Sequence, residues 1–317
     1  MALISTPVVV RTPATSANLG PGFDSFGLAL ARYDLVEARI AASGVVVEVA
    51  GEGFGELPGD GSHLVARAMA AAFERLGERP AGVLVRCRND IPQARGLGSS
   101  SAAIVGGILA ARALTVEGER RLDDAQVLAL ATELEGHPDN VAPCLLGGFT
   151  IAYMDGGVGR AVRLTPSPEV VPVVYVPAER GLTAHARAAL PRDVPHADAA
   201  FNAGRAALLV HALTVDPDLL LSATEDRLHQ PYRAAEMRQS ADLVADLRSA
   251  GVPAVVSGAG PTVLALLRTG DSGAEAAPDA GPAWRTWRLR VDVTGASTAQ
   301  GTIGHAERDP VAAGRES

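Results

Sequence analysis

Apolar positions along the chain fall into short runs with two different spacings. Val8-Val9-Val10 reads as a short buried strand, and Tyr33 to Ile40 and Val45 to Val49 read as extended segments parted by Ser43-Gly44. Ser62 is placed to cap a helix running to about Leu76, ended by Gly77 with Pro80 just beyond. Val83 to Cys87 reads as a further strand, followed by a loop from Arg88 to Gly98 and a helix of small residues from about Ser99. Asp123 opens another helix, with an apolar stripe of Val127, Leu130, Ala131 and Leu134 that ends near Gly136, ahead of a His-Pro-Asp-Asn turn.

Between Arg160 and Pro168 the composition turns to Pro, Thr and Ser, which predicts a boundary between a first domain over 1–165 and a second over 166–296. The second half predicts a strand over Val170–Val176 and helices near Ala184–Leu190, Ala197–Leu213 and Ala235–Ser249. Strands follow at Ala254–Val256 and Val263–Leu267. The Gly/Ala/Asp-rich stretch Thr269–Pro282 reads as a flexible loop, Trp284–Val293 returns to extended alternation, and 297–317 reads as a frayed tail.

Composition narrows the function more than the fold. The 317 residues are 47% hydrophobic and 20% charged, which suits a globular chain with a full core. A net charge of −8 offers no global basic field to nucleic acid or to anionic lipid, so neither is an expected partner. There is no lysine: all 28 positive side chains are arginine. That excludes a Walker A lysine, a protein-kinase strand lysine and a Schiff-base lysine, and leaves phosphate binding to backbone N–H groups, arginine and metal. Cys87 and Cys144 are too few for a disulfide framework and are expected as buried free thiols. The N-terminal stretch lacks the basic head and long apolar run of a signal peptide, and the longest uncharged apolar run, Ala102 to Ala111, is about half the ~20 residues of a spanning helix. The expected location is the reducing cytoplasm.

Candidate chemistry gathers in three glycine-rich segments. Pro92 to Ala103 reads PQARGLGSSSAA: a turn in which Gly96 and Gly98 admit a close ligand, then three serines where a helix N-terminus offers free N–H groups. By itself this is equally a serine cap after a glycine turn. Pro13 to Leu28, PATSANLGPGFDSFGL, is too dense in Gly, Pro, Asn and Asp for a plain connection and sets Asn18 and Asp24 in one rigid turn. Ser257 to Thr262, SGAGPT, joins two apolar strand segments late in the chain. Three such loops at strand ends point to one site assembled from them.

These segments resemble the three signature motifs of the GHMP small-molecule kinases. EGHPDNVAPCLLGG, Glu135 to Gly148, and DRLHQPYR, Asp226 to Arg233, are most similar to the branch of the family whose acceptor is L-homoserine. The resemblance covers nearly the whole chain. It implies an α+β fold in two lobes, an N-terminal domain of the ribosomal-protein S5 domain 2-like type and a ferredoxin-like C-terminal domain, with ATP and acceptor meeting between them. It also implies transfer of the ATP γ-phosphoryl group to the side-chain hydroxyl of L-homoserine, on the route to threonine, with ATP and Mg²⁺ as cofactors and a homodimer as the expected assembly. By similarity Pro92, Gln93, Ala94, Arg95, Gly96, Leu97, Gly98, Ser99, Ser100, Ser101 and Ala102 wrap the triphosphate, with Ser100 on the metal.

The carboxylate sharing that metal is expected at Glu133, with Glu135 as its rival, since the helical wheel does not separate them. Asn18, Asp24, His137 and Asn140 supply partners for the acceptor's ammonium and hydroxyl. Thr183 and Arg187 from the TAHAR segment, together with Arg233, match positions that hold the acceptor, the two arginines as a carboxylate clamp. Ser100, Glu133, Asn140 and Arg187 are the expected catalytic set. Asp139 and His137 could each act as a base, and none is assigned. Arg95 stands where many family members carry glycine, so it either adds a phosphate contact or points outward. Another GHMP kinase with a different small alcohol acceptor is the rival within the class, and a ligand sensor of the same fold, without turnover, is the reading from another class; Ser100 and the glutamate pair argue against the sensor.

Overall fold

The computed structural model describes residues 3–181, 183–269 and 278–304, with no side chains described at 183–185. Strand β1 (Val8–Ala17) is far longer than the expected Val8–Val10, because alternation stops at Thr12 and the chain beyond is covered on both faces. The polar residues Thr12, Thr15 and Ser16 are therefore fully buried in a strand instead of lying in a loop. β2 (Phe26–Ala41) pairs antiparallel with β1, and the register slips between Pro13 and Ala14, where proline has no N–H to give the ladder.

β3 (Gly44–Gly51), α1 (Leu64–Arg75) and β4 (Gly82–Asn89) form a β–α–β crossover in which β3 and β4 are parallel. His63 caps α1, accepting the Val65 N–H on Nδ1 at 3.2 Å, while the expected cap Ser62 is turned to Asp60. α2 (Ser99–Ala113) is buried along most of its length and is a core helix, packed on α1 and β1. The short α3 (Gly118–Arg121) is followed by α4 (Asp124–Glu135), which has a capping box between Asp123 and Gln126 and stops at Gly136, φ +92°. α5 (Pro138–Leu146) starts with proline at its first position, where no N–H is needed.

β5 (Phe149–Asp155) and β6 (Val158–Leu164) form a hairpin absent from the expected elements, so the supposed boundary stretch at Arg160 begins inside a strand. The second lobe opens with β7 (Val170–Pro177) and continues through α6 (Thr183–Ala188), α7 (His196–Thr214), α8 (Leu220–Ala223), α9 (Gln230–Arg233) and α10 (Arg238–Ser249). β8 (Ala254–Val256), β9 (Val263–Arg268), β10 (Trp284–Arg288) and β11 (Ser297–Gln300) follow. Most of the expected loop Thr269–Pro282 lies outside the described residues.

Among the described residues the first sheet runs β11-β1-β2-β4-β3, with β5 and β6 branching from β2. The second is antiparallel with order β10-β7-β9-β8, the 4-1-3-2 order of ferredoxin-like domains. The architecture is α+β with two sheets. Ser297–Gln300, expected as tail, pairs with β1, so the chain returns to its first sheet. The main core contains residues of both lobes, from Val8 and Ile104 to Leu209 and Leu264, while a smaller cluster lies between the second sheet and α10. Cys87 and Cys144 are buried free thiols, and burial pushes Cys87 up to about 12. No described helix is long and apolar enough to cross a membrane.

Gly107 marks the closest approach of α2 to α1: a Cβ there would stand 2.5 Å from the Val65 carbonyl oxygen and 2.8 Å from Ala68 Cβ. Alanine is the better helix former by roughly 1 kcal/mol, but forcing two core helices apart costs about 1–3 kcal/mol. Gly107→Ala is therefore expected to destabilise the protein in urea denaturation, and a gain in stability would show that the two helices separate freely.

Candidate active site

The loop before α2 is held by its carbonyl groups. Arg95 NH1 donates to the Gln93 carbonyl at 2.9 Å, the Gly181 amide to Ala94 at 2.8 Å and the Thr262 amide to Arg95 at 3.3 Å. Ser257 Oγ donates to Gly96 at 2.6 Å and the Thr15 amide to Leu97 at 3.0 Å. A trans peptide points its C=O and its following N–H in opposite directions, so turning five successive oxygens outward turns amides inward. The amides of Gly96, Leu97 and Gly98 turned in this way, and those of Ser99, Ser100 and Ser101 at the open end of α2, have no acceptor among the described residues. The shape requires glycine. Gly96 has φ +75° with Ser257's oxygen 2.2 Å from where a Cβ would sit, and Gly98 has φ +71° with Thr15 Oγ1 at 1.9 Å. Gly98, not a serine, is the N-cap of α2, and no side chain closes that helix end.

Two serines of the first turn of α2 meet one carboxylate. Ser100 Oγ donates to Glu135 Oε1 at 2.6 Å and Ser101 Oγ to the same atom at 3.1 Å. Glu133 is elsewhere: it points to solvent, paired with Arg75 at 2.7 Å. The expectation of Glu133 beside Ser100 is thereby overturned, because two residues along α4 rotate the side chain by about 200°. Asn140 Oδ1 accepts from Thr15 Oγ1 at 2.9 Å, which orients its amide in the first turn of α5. His137 Nδ1 makes a very short contact with the buried carboxylate of Asp139. Burial opposes charge on His137, but the Asp139 hydrogen bond and the charges of Asp139 and Glu135 outweigh it and push the imidazole up.

At the other end Asn18 and Leu19 take left-handed conformations, φ +69° and +50°, in one turn with Asp24. Asn18 Nδ2 donates to the Gly258 carbonyl at 2.8 Å and its Oδ1 accepts the Asp24 amide at 2.9 Å, so its side chain brackets the first and third motifs. Arg187 forks onto Asp24 through two hydrogen bonds of 3.2 and 3.1 Å. Arg233 is buried, with Nε on the Ala186 carbonyl at 2.9 Å. Burial pushes its guanidinium down, opposed by Asp24 and helped by Arg187. Thr183's side chain lies outside the described residues. Arg95, its guanidinium on the carbonyls of Gln93, Pro177 and Ala178, ties the loop to the second lobe.

All these groups surround one cleft of about 490 Å³, within the range of small-ligand sites. Of the expected residues Pro92 and Ser101 stand behind its lining, while Asn18, Asp24, Gln93 to Ser100, Ala102, Glu135, His137, Asn140, Arg187 and Arg233 line it. The pattern reading missed Thr15, Asp34, His63 and Gly181. His63 lies in the cleft wall with Nδ1 used as the α1 cap, so Nε2 carries the proton, and that buried N–H has no partner. Asp34 Oδ1 accepts the amides of Asp90 at 2.8 Å and Ile91 at 2.9 Å, fixing where the loop leaves β4. No local pattern marks Asp34, since its partners lie 56 residues away or more.

The sequence pattern described as GHMP kinases N terminal domain matches residues 63–148, and that described as GHMP kinases C terminal matches residues 200–282. The chain is 59% identical over 290 residues to the homoserine kinase of Streptomyces avermitilis, covering 92% of this chain and 95% of that protein. To the homoserine kinase of Mycolicibacterium smegmatis it is 49% identical over 284 residues, 86% of this chain and 88% of that protein. Among solved structures, the homoserine kinase of Cytophaga hutchinsonii superimposes with a TM-score of 0.80 at 25% identity, covering 93% of this chain and 98% of that one.

Burial raises Asp34 to about 7, against the pull of the Ile91 and Asp90 amides. A carboxyl raised in the folded state holds its proton there more tightly than in the unfolded chain, so stability falls as pH climbs from about 4 to 7, by on the order of 1 kcal/mol per unit. Denaturation midpoints across that interval are expected to decline in the wild type and to flatten in Asp34→Asn, whose amide oxygen still accepts both N–H groups. Equal slopes in the two proteins would remove Asp34 as the cause.

Proposed function

Since the chain belongs to the GHMP kinases, we propose that it transfers the γ-phosphoryl group of ATP to the side-chain hydroxyl of L-homoserine, forming ADP and O-phospho-L-homoserine. The observation that carries this reading is one cleft lined at once by a cradle of free amides and by Asp24, Arg187 and Arg233. The first suits a polyphosphate and the second an amino acid.

The inward amides of Gly96 to Gly98 and the open end of α2 receive the phosphates without a lysine. The orphaned Nε2–H of His63 offers a hydrogen bond to an acceptor on the nucleotide. Arg187 and Arg233 receive the α-carboxylate, because a planar guanidinium pairs with it through two N–H groups. In the free protein Arg187 already holds a carboxylate, that of Asp24. A zwitterionic acceptor exchanges this ion pair for two, its carboxylate to the arginines and its ammonium to Asp24.

His137 and Asn140 orient the acceptor hydroxyl, whose oxygen bonds to the γ-phosphorus as the bond to the β,γ-bridging oxygen breaks; ADP leaves with that oxygen, and the hydroxyl proton passes to an oxygen of the transferred phosphoryl group. The loose transition state of phosphoryl transfer places little charge on the attacking oxygen, so orientation counts for more than a strong base.

Ser100 Oγ and Glu135 Oε1, 2.6 Å apart, are hard oxygen donors that suit Mg²⁺. Among the described residues no group of three His, Cys, Asp or Glu could hold a metal alone, which fits an ion completed by phosphate oxygens and water. When bound, magnesium neutralises charge building on the phosphate oxygens.

An ADP-release assay with L-homoserine, 3-aminopropan-1-ol and mevalonate offered separately tests the acceptor. Homoserine is expected to turn over, and loss of its carboxylate in the amino alcohol to lower kcat/KM roughly 30-fold or more. Turnover of mevalonate in preference to homoserine would overturn the assignment. A Mg²⁺ titration tests the metal corner: Glu135→Gln is expected to need at least roughly tenfold more Mg²⁺ for half-maximal rate, with homoserine KM little changed, and Glu133→Gln to behave as wild type. The opposite pattern would return the role to Glu133.

A further inference from the structure

His229 is wholly buried, does not line the cleft, and has no part in the roles given above. Its two ring nitrogens nevertheless join two parts of the site. Nε2 stands 2.9 Å from the carbonyl oxygen of Gly20, in the turn between Asn18 and Asp24, and Nδ1 stands 3.2 Å from NH1 of Arg233. A guanidinium can only donate and a carbonyl can only accept, so both contacts are satisfied in one tautomer alone: Nδ1 accepts from Arg233, and Nε2 carries the proton and donates to Gly20. Protonation of both nitrogens would set Nδ1–H against the arginine.

The surroundings favour the neutral ring. Burial lowers His229, Arg233 adds to that, and Asp226 opposes it. The ring also stacks on Phe23, with centroids 4.9 Å apart and planes at 26°, and the Arg233 guanidinium carbon lies 5.1 Å from the same Phe23 centroid. The backbone at His229 is itself fixed, since the Asp226 carboxylate accepts amides from Leu228 and Gln230, each at 2.7 Å. Arg233 is thus gripped at Nε by the Ala186 carbonyl and at NH1 by His229, which leaves its remaining N–H groups for the cleft it lines.

We infer that His229 is a positioning residue for the acceptor: protonated on Nε2 alone, it aims the Arg233 guanidinium into the cleft and locks it to the Gly20 turn that carries Asp24. The inference rests on the reading of Arg233 as part of the carboxylate clamp.

Asparagine and glutamine separate the two bonds, because an Asn amide reaches about as far as Nδ1 and a Gln amide about as far as Nε2. His229→Asn keeps an acceptor for Arg233 and gives up the Gly20 bond, whereas His229→Gln does the reverse. Loss of a hydrogen bond to a charged group predicts that His229→Gln raises homoserine KM roughly tenfold or more, with ATP KM and saturating kcat near wild type. His229→Asn is expected to keep homoserine KM within about threefold. Equal effects of the two variants, or ATP KM moving together with homoserine KM, would overturn the inference. A long-range ¹H–¹⁵N spectrum of the wild type supplies a readout independent of turnover and of variant folding: the His229 proton is expected on Nε2, and a proton on Nδ1 would overturn the assignment. Failure of the wild type to phosphorylate homoserine would instead refute the acceptor reading, while the spectrum still decides the tautomer.

Discussion

Five carbonyl groups turned away from a cleft are the constraint on which the rest of the site depends. Of the five oxygens from Gln93 to Leu97, the first is held by Arg95 of the loop itself, and the other four go to donors from β1, from Gly181 beyond the second lobe's first strand and from the β8–β9 turn. Those donors come from segments far apart in sequence, so the loop takes its shape only when both lobes are in place. The shared core makes that condition easy to meet, since apolar residues of both sheets pack into one cluster. The local cost is backbone strain: Ala94, Gly96 and Gly98 are all left-handed. Two of the three are glycine, which keeps that cost small.

A second consequence concerns the stretch from Glu135 to Asn140. α4 stops at a left-handed glycine and α5 restarts two residues later on a proline, so six residues present a carboxylate, an imidazole, a buried aspartate and an amide to one wall. Glu135 sits at the C-terminal end of its own helix, an unfavourable place for a negative charge, but it faces the N-terminal turn of α2, where negative charge is favoured. The hydroxyls of Ser100 and Ser101 complete that meeting of opposite helix ends. Glu133, about 200° round the same helix, is an ordinary exposed partner of Arg75.

The end of the cleft that holds Asp24, Arg187 and Arg233 balances charge. Arg233 is buried and lowered by desolvation, and it is tolerable there because Asp24 lies near and because its N–H groups find the Ala186 carbonyl and the His229 ring. Arg187 is more open to solvent and takes Asp24 directly. A chain without lysine has no flexible point charges for such places; rigid guanidinium groups hold direction as well as charge.

The residue pattern alone determined a good part of this. Runs such as Val83 to Cys87 and the stripe Val127, Leu130, Ala131 and Leu134 carry their own period, and Asp123 and Gly136 are local start and stop signals, so β4 and α4 stand close to where periodicity sets them. The three glycine-rich segments also announced a shared site, and all three line or support one cleft. Only the tertiary structure decided the rest. β1 runs on through Thr12, Thr15 and Ser16 because neighbouring elements cover both its faces, which no alternation along the strand can signal. β11 exists because β1 offers it an edge nearly 300 residues earlier in the chain. The choice of Glu135 over Glu133, the outward carbonyls of the loop and the hold of His229 on Arg233 each depend on a partner from another element. A helical wheel or a motif states which residues share a neighbourhood along one segment; which atom meets which is set by how separate segments pack.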